Sequence, residues 1–401
     1  MLSRTPSNLL VLSNGHGEDQ VAVRIVQVLQ KLPQAPEIKA LPIVGEGYAY
    51  QRQHIQTLDA VQVMPSGGFI YMDGRQTLRD LQGGLWQLTR RQLREVRQWA
   101  KQGGKILAVG DIVPLLFAWW SGAPYAFVGT AKSDYYLRDE QGVPLPNLGH
   151  PWWLSTSVYL PWERWLMQQA RAVFPRDSLT AKTLQQWLIS VFDAGNPMMD
   201  NLQPTGQLDL SAVKNQPQRT VLLLPGSRPP EAYQNWALIL EAIAASLLHN
   251  QCLLAAIAPG LDREPLAETL EKRGWCSCSE DVWIQDETTL VLTEHFNDCL
   301  ERVGVAIATA GTATEQCVGL GIPVITLPGK GPQFTAAFAE AQSRLLGHSI
   351  FNLEHPHQVP QALQQIDQAD PQQWYKNGLQ RMGCSGASER IAAILAEELL
   401  S

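Results

Sequence analysis

Short apolar segments alternate with amphipathic helical segments along almost the whole chain, and this alternation limits the folds that the chain can adopt. Each apolar segment has the length of a buried strand, and a helix-forming segment separates it from the next. Strands that alternate with helices form parallel sheets with right-handed crossovers. The predicted strands are 9–12, 105–109, 125–128 and 172–174 in the first half, and 220–224, 252–258, 289–293, 303–309 and 322–327 in the second.

The length of 401 residues predicts two domains, each large enough for its own core. We therefore predict an α/β fold with two doubly wound, Rossmann-like domains that face each other across a cleft. The predicted linker is the polar segment 206–218, which contains proline. It separates an acceptor-side domain at 1–205 from a donor domain at 219–375. The remaining residues, 376–401, are predicted to form a C-terminal helix that can pack back on the first domain.

The composition excludes several classes of protein. Hydrophobic residues at 45% and charged residues at 17% are typical of an ordered globular chain, and a net charge of −7 argues against a nucleic-acid partner. The six cysteines lack zinc-ligand spacing and are interpreted as reduced thiols. There is no signal-peptide pattern, and Asp111, Pro114 and Pro124 interrupt the apolar stretch 106–128. A cytoplasmic protein is predicted.

The turn after the predicted strand 303–309 is the most informative motif. Its residues, Ala310-Gly311-Thr312-Ala313-Thr314-Glu315, are small and open a predicted helix. Free backbone N–H groups and the positive end of the helix dipole make such a turn a natural phosphate site. Thr312 and Thr314 add hydroxyl donors, and Glu315 can accept hydrogen bonds from a sugar diol.

A second loop of the same kind comes after the predicted strand 220–224 and contains Gly226, Ser227 and Arg228. The guanidinium of Arg228 suits forked contacts with phosphate. Two such loops in one half predict a nucleotide-sugar or a dinucleotide as ligand. In a third loop, Lys330 can meet phosphate and Gln333 can reach sugar hydroxyls, although an ordinary Pro/Gly loop explains Lys330 equally well.

Candidate catalytic groups come after two predicted strands of the first half. The loop after strand 9–12 holds His16, Glu18 and Asp19 but lacks the third glycine of a dinucleotide fingerprint. Asp111 comes after strand 105–109 and is the predicted general base, with His16 or Asp19 as the fallback. The structural alternative makes Asp19 and Asp111 caps of the helices next to them.

Tryptophan is over-represented at 13 residues, and nine of these lie in the first half. Amphipathic rings beside a basic segment suit an apolar acceptor or anionic lipid, and they predict a peripheral protein on the inner face of the cytoplasmic membrane. The alternative is a set of core tryptophans beside one solvated helix face. The predicted acceptor or membrane residues are Phe69, Tyr71, Trp119, Trp120, Trp152 and Trp153.

In chain order these motifs resemble the lipid-A-disaccharide synthase family, whose members are inverting GT-B glycosyltransferases. The resembling segments are 223–228 with Glu231, 310–315, Asp19, Asp111 and 195–200. The departures lie in the first domain: the loop 14–19 differs, and Pro114 stands where the family has a second carboxylate. The resemblance is therefore strongest in the donor half.

The resemblance implies transfer of a hexosyl unit, of N-acetylglucosaminyl type, from a UDP-sugar to a hydroxyl of a lipid acceptor. No Asp-x-Asp motif is present, so we predict no cofactor and no requirement for a metal. Two alternatives stay open: a UDP-sugar epimerase of the same fold, and a non-catalytic UDP-sugar-binding or membrane-adaptor protein.

Overall fold

The chain forms two units, each built around one sheet. The computed structural model describes residues 7–58, 85–145, 157–211, 213, 219–245, 251–329 and 335–401. The first unit comprises Met1–Leu137, Leu145–Asp200 and Cys384–Ser401, and the second comprises Arg138–Pro144 and Asn201–Gly383. The divisions thus fall at Asp200 and Gly383, whereas the sequence predicted them near 205 and 375.

The sheet of the first unit has five parallel strands in the order β2-β1-β3-β4-β5. The order reverses between β1 and β3, which makes that pair of strands the topological switch point of the unit. Apolar runs form β1, β3, β4 and β5, and nearly all of their residues are buried on both faces. The strands are β1 (Asn8–Ser13), β2 (Glu37–Pro42), β3 (Lys105–Gly110), β4 (Tyr125–Gly129) and β5 (Ala172–Pro175).

Helices cover both faces of this sheet. Alternate strand residues therefore belong to two separate cores, one on each face. Leu10 and Ile106 pack with α3, α4, α5 and α6, whereas Leu9 and Leu107 pack with α1, α2 and the last helix, α14. These helices are α1 (His16–Leu29), α2 (Tyr48–Arg52), α3 (Leu85–Lys101), α4 (Ile112–Ser121), α5 (Pro161–Gln168), α6 (Ser178–Gln185) and α14 (Ala387–Glu398). Short 3₁₀ helices span Asp134–Leu137 and Pro197–Met199.

The last helix is fixed to the first unit by one carboxylate. Asp200 accepts hydrogen bonds from the backbone N–H groups of Gly386 (2.6 Å), Ala387 (3.1 Å) and Ser388 (2.8 Å). A carboxylate at a helix N-terminus satisfies free donors and meets the positive end of the dipole. The buried side chain of Ile391 then completes the core around β1.

The sheet of the second unit has eight strands in the order β13-β12-β11-β6-β7-β10-β9-β8. The six strands β13, β12, β11, β6, β7 and β10 are parallel to one another. Strand β9 pairs antiparallel with β10, and β8 pairs antiparallel with β9 at the edge of the sheet. The strands are β6 (Arg219–Leu224), β7 (Gln251–Ala256), β8 (Cys276–Ser277), β9 (Val282–Gln285), β10 (Thr288–Thr293), β11 (Val305–Ala308), β12 (Val324–Thr326) and β13 (Ile350–Asn352). The parallel order reverses between β6 and β11, which form the switch point of this unit.

Seven α-helices accompany this sheet among the described residues, and a core around Trp236, Leu266 and Leu363 joins three of them to the strands. The seven helices are α7 (Glu231–Ala245), α8 (Arg263–Lys272), α9 (Phe296–Leu300), α10 (Thr312–Gly319), α11 (Ala336–Leu346), α12 (Val359–Gln368) and α13 (Pro371–Met382), with 3₁₀ helices at Gly347–Ser349 and Pro356–Gln358.

A buried carboxylate anchors the beginning of the second unit. Asp298 accepts hydrogen bonds from four consecutive backbone N–H groups, those of residues 205–208. Burial opposes its ionisation, but these bonds outweigh that effect and lower the pKa of Asp298 to about 2. The segment after Asn201 is therefore held in place by charge-assisted bonds.

Candidate active site

Asp111 and Asn14 meet at the switch point of the first unit, since they come directly after the adjacent parallel strands β3 and β1. Asn14 Nδ2 donates to Asp111 Oδ1 at 2.7 Å, and the backbone N–H of Val113 donates to the same oxygen at 2.8 Å. Asp111 is thus the cap of α4, as the structural alternative predicted. Both bonds use Oδ1 and neither uses Oδ2, so capping and proton transfer can be served by different oxygens.

The surroundings of Asp111 make its carboxylate more basic. Burial raises the pKa of Asp111 above its usual range, while the bonds from Val113 and Asn14 and the charge of Lys132 lower it in part. A raised pKa is the property that a general base for a hydroxyl needs.

Gly110 allows the close contact between the two strands. Its φ is +134°, and a Cβ at this position would lie 2.1 Å from Asn14 Oδ1. Only glycine adopts this conformation readily and leaves room for the amide. The glycine before Asp111 is therefore required by the geometry of the site.

Asp19 lies in the first turn of α1, and its side chain is 3% exposed. Ser13 Oγ donates to Asp19 Oδ1 at 2.6 Å, and the Ser13 and Tyr50 hydroxyls are 2.6 Å apart. Burial raises the pKa of Asp19 to about 7, the bond from Ser13 opposes the rise, and the charge of Glu18 adds to it. This internal chain suits a group that positions the loop, and a direct catalytic role for Asp19 stays a prediction. His16 is exposed at the first position of α1.

Lys132 and Glu163 form an ion pair near Asp111 that the sequence did not indicate. Lys132 Nζ lies 2.6 Å and 2.7 Å from the two carboxylate oxygens of Glu163, whose side chain is 1% exposed. Glu163 also accepts from the N–H of Leu160 at 2.7 Å, and Lys132 lies over the ring of Tyr159. Lys132 comes after β4 as Asp111 comes after β3, and this position was the signal that could have identified it.

The two predicted phosphate loops meet at the switch point of the second unit. The N–H of Thr309, after β11, donates to Leu224 O at 2.9 Å at the end of β6. Gly226 has a φ of +98°, and a Cβ there would lie 3.4 Å from Thr309 O. Ser227 is exposed and Arg228 half-buried next to this contact. Both loops were predicted to lie at the carboxyl ends of strands, and the structure makes those strands neighbours.

The start of α10 presents two of its predicted ligand groups to solvent. Gly311 is the N-cap residue and has no side-chain cap, Thr312 is exposed and Glu315 is half-buried. The Thr314 hydroxyl is buried instead and donates to Ala310 O at 2.7 Å, so it orders the turn. The prediction that Thr314 donates to phosphate stays a prediction.

Two buried amide side chains support these loops and were missed in the sequence. Asn235 Nδ2 donates to Pro225 O at 3.2 Å, and Gln342 Nε2 donates to Ala310 O at 3.3 Å. Asn235 Oδ1 and Gln342 Oε1 are buried and have no hydrogen-bond partner within the described parts of the chain. A polar residue on the buried face of a helix was the available signal.

The structure describes only some of the remaining predicted residues. Trp119 and Trp120 are exposed at the end of α4, and Trp119 packs edge-to-face on Trp165. Six residues lie outside the described residues: Phe69, Tyr71, Trp152, Trp153, Lys330 and Gln333. The described ranges contain no helix that is long and apolar enough to span a bilayer.

No protein-family model and no curated protein sequence matches the chain. Solved structures match over nearly its full length. A putative UDP-N-acetylglucosamine 2-epimerase from Listeria monocytogenes has a TM-score of 0.59 at 14% identity, over 98% of this chain and 97% of that one. A UDP-GlcNAc 2-epimerase from Neisseria meningitidis, bound to UDP-GlcNAc, has a TM-score of 0.55 at 13% identity, over 97% and 100%. The glycotransferase of kitacinnamycin has a TM-score of 0.58 at 13% identity, over 98% and 100%. The chain has the GT-B fold.

The GT-B fold confirms the predicted fold class of two Rossmann-like domains. Identities of 13 to 14% make the similarity one of fold, and the resemblance to the lipid-A-disaccharide synthase family rests on the motifs alone. Within this fold, each unit gathers its predicted residues at its own switch point: Asp111 in the first unit, and Gly226 with the 309–311 turn in the second.

Proposed function

We propose that this chain is an inverting glycosyltransferase that moves a hexosyl unit, of N-acetylglucosaminyl type, from a UDP-sugar to a hydroxyl of a lipid-linked acceptor. The observation that carries the proposal is the meeting of two glycine loops at the β6–β11 switch point of a GT-B fold. Ligands of open α/β sheets bind at such points, outside the carboxyl ends of the strands.

The second unit supplies the groups for a diphosphate leaving group. The N-terminus of α10 offers backbone N–H groups and a positive dipole end, and Arg228 adds a permanent cation. Glu315 is placed in the first turn of the same helix, where its carboxylate can accept from a ribose or hexose diol. Fixed positive groups of this kind stabilise departing UDP, so the proposed reaction needs no divalent cation.

The first unit supplies the base. In the proposed step, Asp111 Oδ2 takes the proton of the acceptor hydroxyl as that oxygen bonds to the anomeric carbon. The bond from this carbon to the UDP oxygen breaks, and UDP leaves with the bonding electrons. One displacement of this kind inverts the anomeric configuration. The proton is then on Asp111, and it passes to a water molecule or to a phosphate oxygen of the UDP product.

A UDP-sugar epimerase is the second candidate, and it is favoured by the names of two of the structures with the same fold. Inversion within the sugar needs the donor site but no acceptor hydroxyl. The raised pKa of Asp111 suits either reaction.

Incubation with UDP-N-acetylglucosamine distinguishes these candidates. We expect no conversion of the nucleotide sugar alone, and release of UDP when a bacterial lipid extract is added, both followed by proton NMR. Formation of an epimerised nucleotide sugar without lipid would replace the transferase by the epimerase. Absence of both reactions, with UDP still bound, would favour a non-catalytic binding or adaptor protein.

Calorimetric titration with UDP tests the donor site itself. Arg228→Ala and Glu315→Ala should each weaken UDP binding about tenfold or more, as expected for lost charge-assisted bonds. Arg302→Ala is the matched control, since Arg302 is exposed and precedes β11, at the opposite end of that strand from both loops. Unchanged UDP affinity in both donor-site variants would remove the basis of the proposal.

A further inference from the structure

Four tryptophans form an exposed surface on the first unit. Trp119 and Trp120 end α4, and Trp162 and Trp165 lie one turn apart on α5. Their exposed fractions are 39%, 51%, 47% and 48%, and the neighbouring Leu160 is 40% exposed. These values exclude the alternative in which these four rings are core residues. We refer to these five residues as the tryptophan face.

A ring contact joins the α4 part of the tryptophan face to the α5 part. The rings of Trp119 and Trp165 meet edge-to-face with centroids 5.4 Å apart, which joins the end of α4 to the outer side of α5. The two helices also pack together within the unit. The face is therefore one apolar patch of half-exposed rings, each with a polar indole N–H.

A stripe of cations borders this patch. Arg90, Arg94, Arg97 and Lys101 are spaced by four, three and four residues along α3, so they share one side of the helix, and all four are exposed. The guanidinium of Arg97 lies over the ring of Trp120 at 5.2 Å, which joins the stripe to the tryptophan face. In a chain of net charge −7, this is a local concentration of positive charge.

We propose that the tryptophan face and the α3 stripe bind the surface of an anionic lipid bilayer. Tryptophan has an apolar body and a polar edge, and it partitions to the boundary between headgroups and acyl chains. Cations beside such a patch complement anionic headgroups, and no single pocket is needed. This inference does not depend on the proposed function, because the residues that carry it belong to neither candidate loop.

The position of α5 gives this surface a consequence for any lipid-linked substrate. Trp162 and Trp165 lie on its exposed side, whereas Glu163 lies on its buried side and holds Lys132 close to Asp111. A helix docked on a bilayer by its outer side would therefore also form part of the wall of the polar site.

Vesicle co-sedimentation of the full chain tests the proposal. We expect binding to vesicles of phosphatidylcholine mixed with phosphatidylglycerol, weaker binding at high salt, and little binding to phosphatidylcholine alone. The double variant Trp162→Ser/Trp165→Ser should lower the partition coefficient about tenfold. Arg94→Gln/Arg97→Gln should lower it about fivefold for each charge removed. Brominated lipid should quench tryptophan fluorescence in the wild type and less in the tryptophan variant.

Two matched controls keep the test specific. Tyr375→Ser removes an aromatic ring that is 60% exposed in the second unit, and Arg302→Gln removes an exposed cation there; neither should change vesicle binding. UDP affinity, where present, should be equal in all variants and reports that they fold. Vesicle binding that both double variants retain would overturn the proposal. So would a concentration-dependent dimer that the same variants abolish, because the face would then cover a second copy of the chain.

Discussion

In the first unit a carboxylate stands directly after the strand at the switch point, whereas in the second unit the equivalent positions carry glycine, hydroxyl and backbone groups. Asp111 is partly buried and its pKa is raised, but the loops at Gly226 and Gly311 present N–H donors and a helix dipole. The first arrangement can move a proton, and the second can hold an anion. In the proposed reaction, the residues at the ends of the strands would therefore assign chemistry to one Rossmann-like unit and binding to the other.

The two units also differ in how their buried carboxylates titrate. Burial raises the pKa of Asp19 in the first unit to about 7, while backbone N–H bonds overcome burial and lower the pKa of Asp298 in the second to about 2. Asp298 therefore contributes stability that is present above its unfolded pKa and is lost as pH falls toward 2. The stability that Asp19 contributes is present at low pH instead and is lost as pH rises.

The largest expected effect comes from Asp111→Asn, which tests whether chemistry belongs to the first unit. Asparagine can still accept from Val113 and cap α4, so the fold should survive. We expect turnover to fall about a hundredfold or more, since general-base catalysis contributes that much, with UDP affinity unchanged. The exposed Asp193→Asn is the control. A similar loss of UDP affinity in Asp111→Asn would contradict the separation of roles.

The next effect is a pH dependence of stability in the first unit. Because the folded pKa of Asp19 lies above 3.8, its stabilising contribution is complete at low pH and is lost as pH rises through about 7. Relative to Asp19→Asn, the wild type should lose roughly 3 kcal/mol of unfolding free energy between about pH 5 and about pH 8. Urea unfolding at both pH values measures this. Parallel curves for the two proteins would show that Asp19 has an ordinary pKa.

Gly226→Ala tests whether the second unit binds the ligand. A φ of +98° strains any side chain, and the new Cβ would contact Thr309 O. We expect a loss of about 1–3 kcal/mol of stability together with weaker UDP binding. Gly260→Ala is a matched control, because Gly260 has a φ of +94° with open space around it. It should lose stability without losing UDP affinity; equal UDP affinity in both variants would place the ligand elsewhere.

The smallest effect is expected at the ion pair beside Asp111. The charge of Lys132 lowers the pKa of Asp111 and that of Glu163 raises it. Lys132→Met should therefore move the acidic limb of the pH–rate profile upward, and Glu163→Gln should move it downward. Lys182→Met, on an exposed side of α6, should leave the limb in place. Shifts of the first two variants in the same direction would mean that the pair acts through structure and not through charge.

The parallel strands at the centre of each sheet were predictable, because burial on both faces leaves a continuous apolar run. The strands that the sequence did not indicate, β2, β8, β9 and β13, lie at or near sheet edges and mix polar with apolar residues. None of these four strands is a long apolar run, whereas the edge strand β5 is one and was predicted; β8 and β9 pair with the strands next to them in the chain. The predicted interior strands at 220–224 and 289–293 agree with β6 and β10 to within one residue.

The residues of the site also divide into those that the sequence could predict and those that it could not. Asp111 and Gly226 were identifiable because each lies at the end of an apolar run. Asn235 and Gln342 were not, since they reach the loops from helices and their roles depend on tertiary packing. Lys132 was overlooked for a similar reason: its partner Glu163 is 31 residues away in the chain.

The hydrogen bonds between Asp200 and the start of α14 have a consequence for the synthesis of the chain. Ile391 and Leu395 complete the core around β1, yet they follow the whole second unit in the chain. The second unit is synthesised in full before the first unit can close. A fragment that stops after Asp200 should therefore expose its unfinished core during synthesis, and adding residues 384–401 as a separate peptide should restore it.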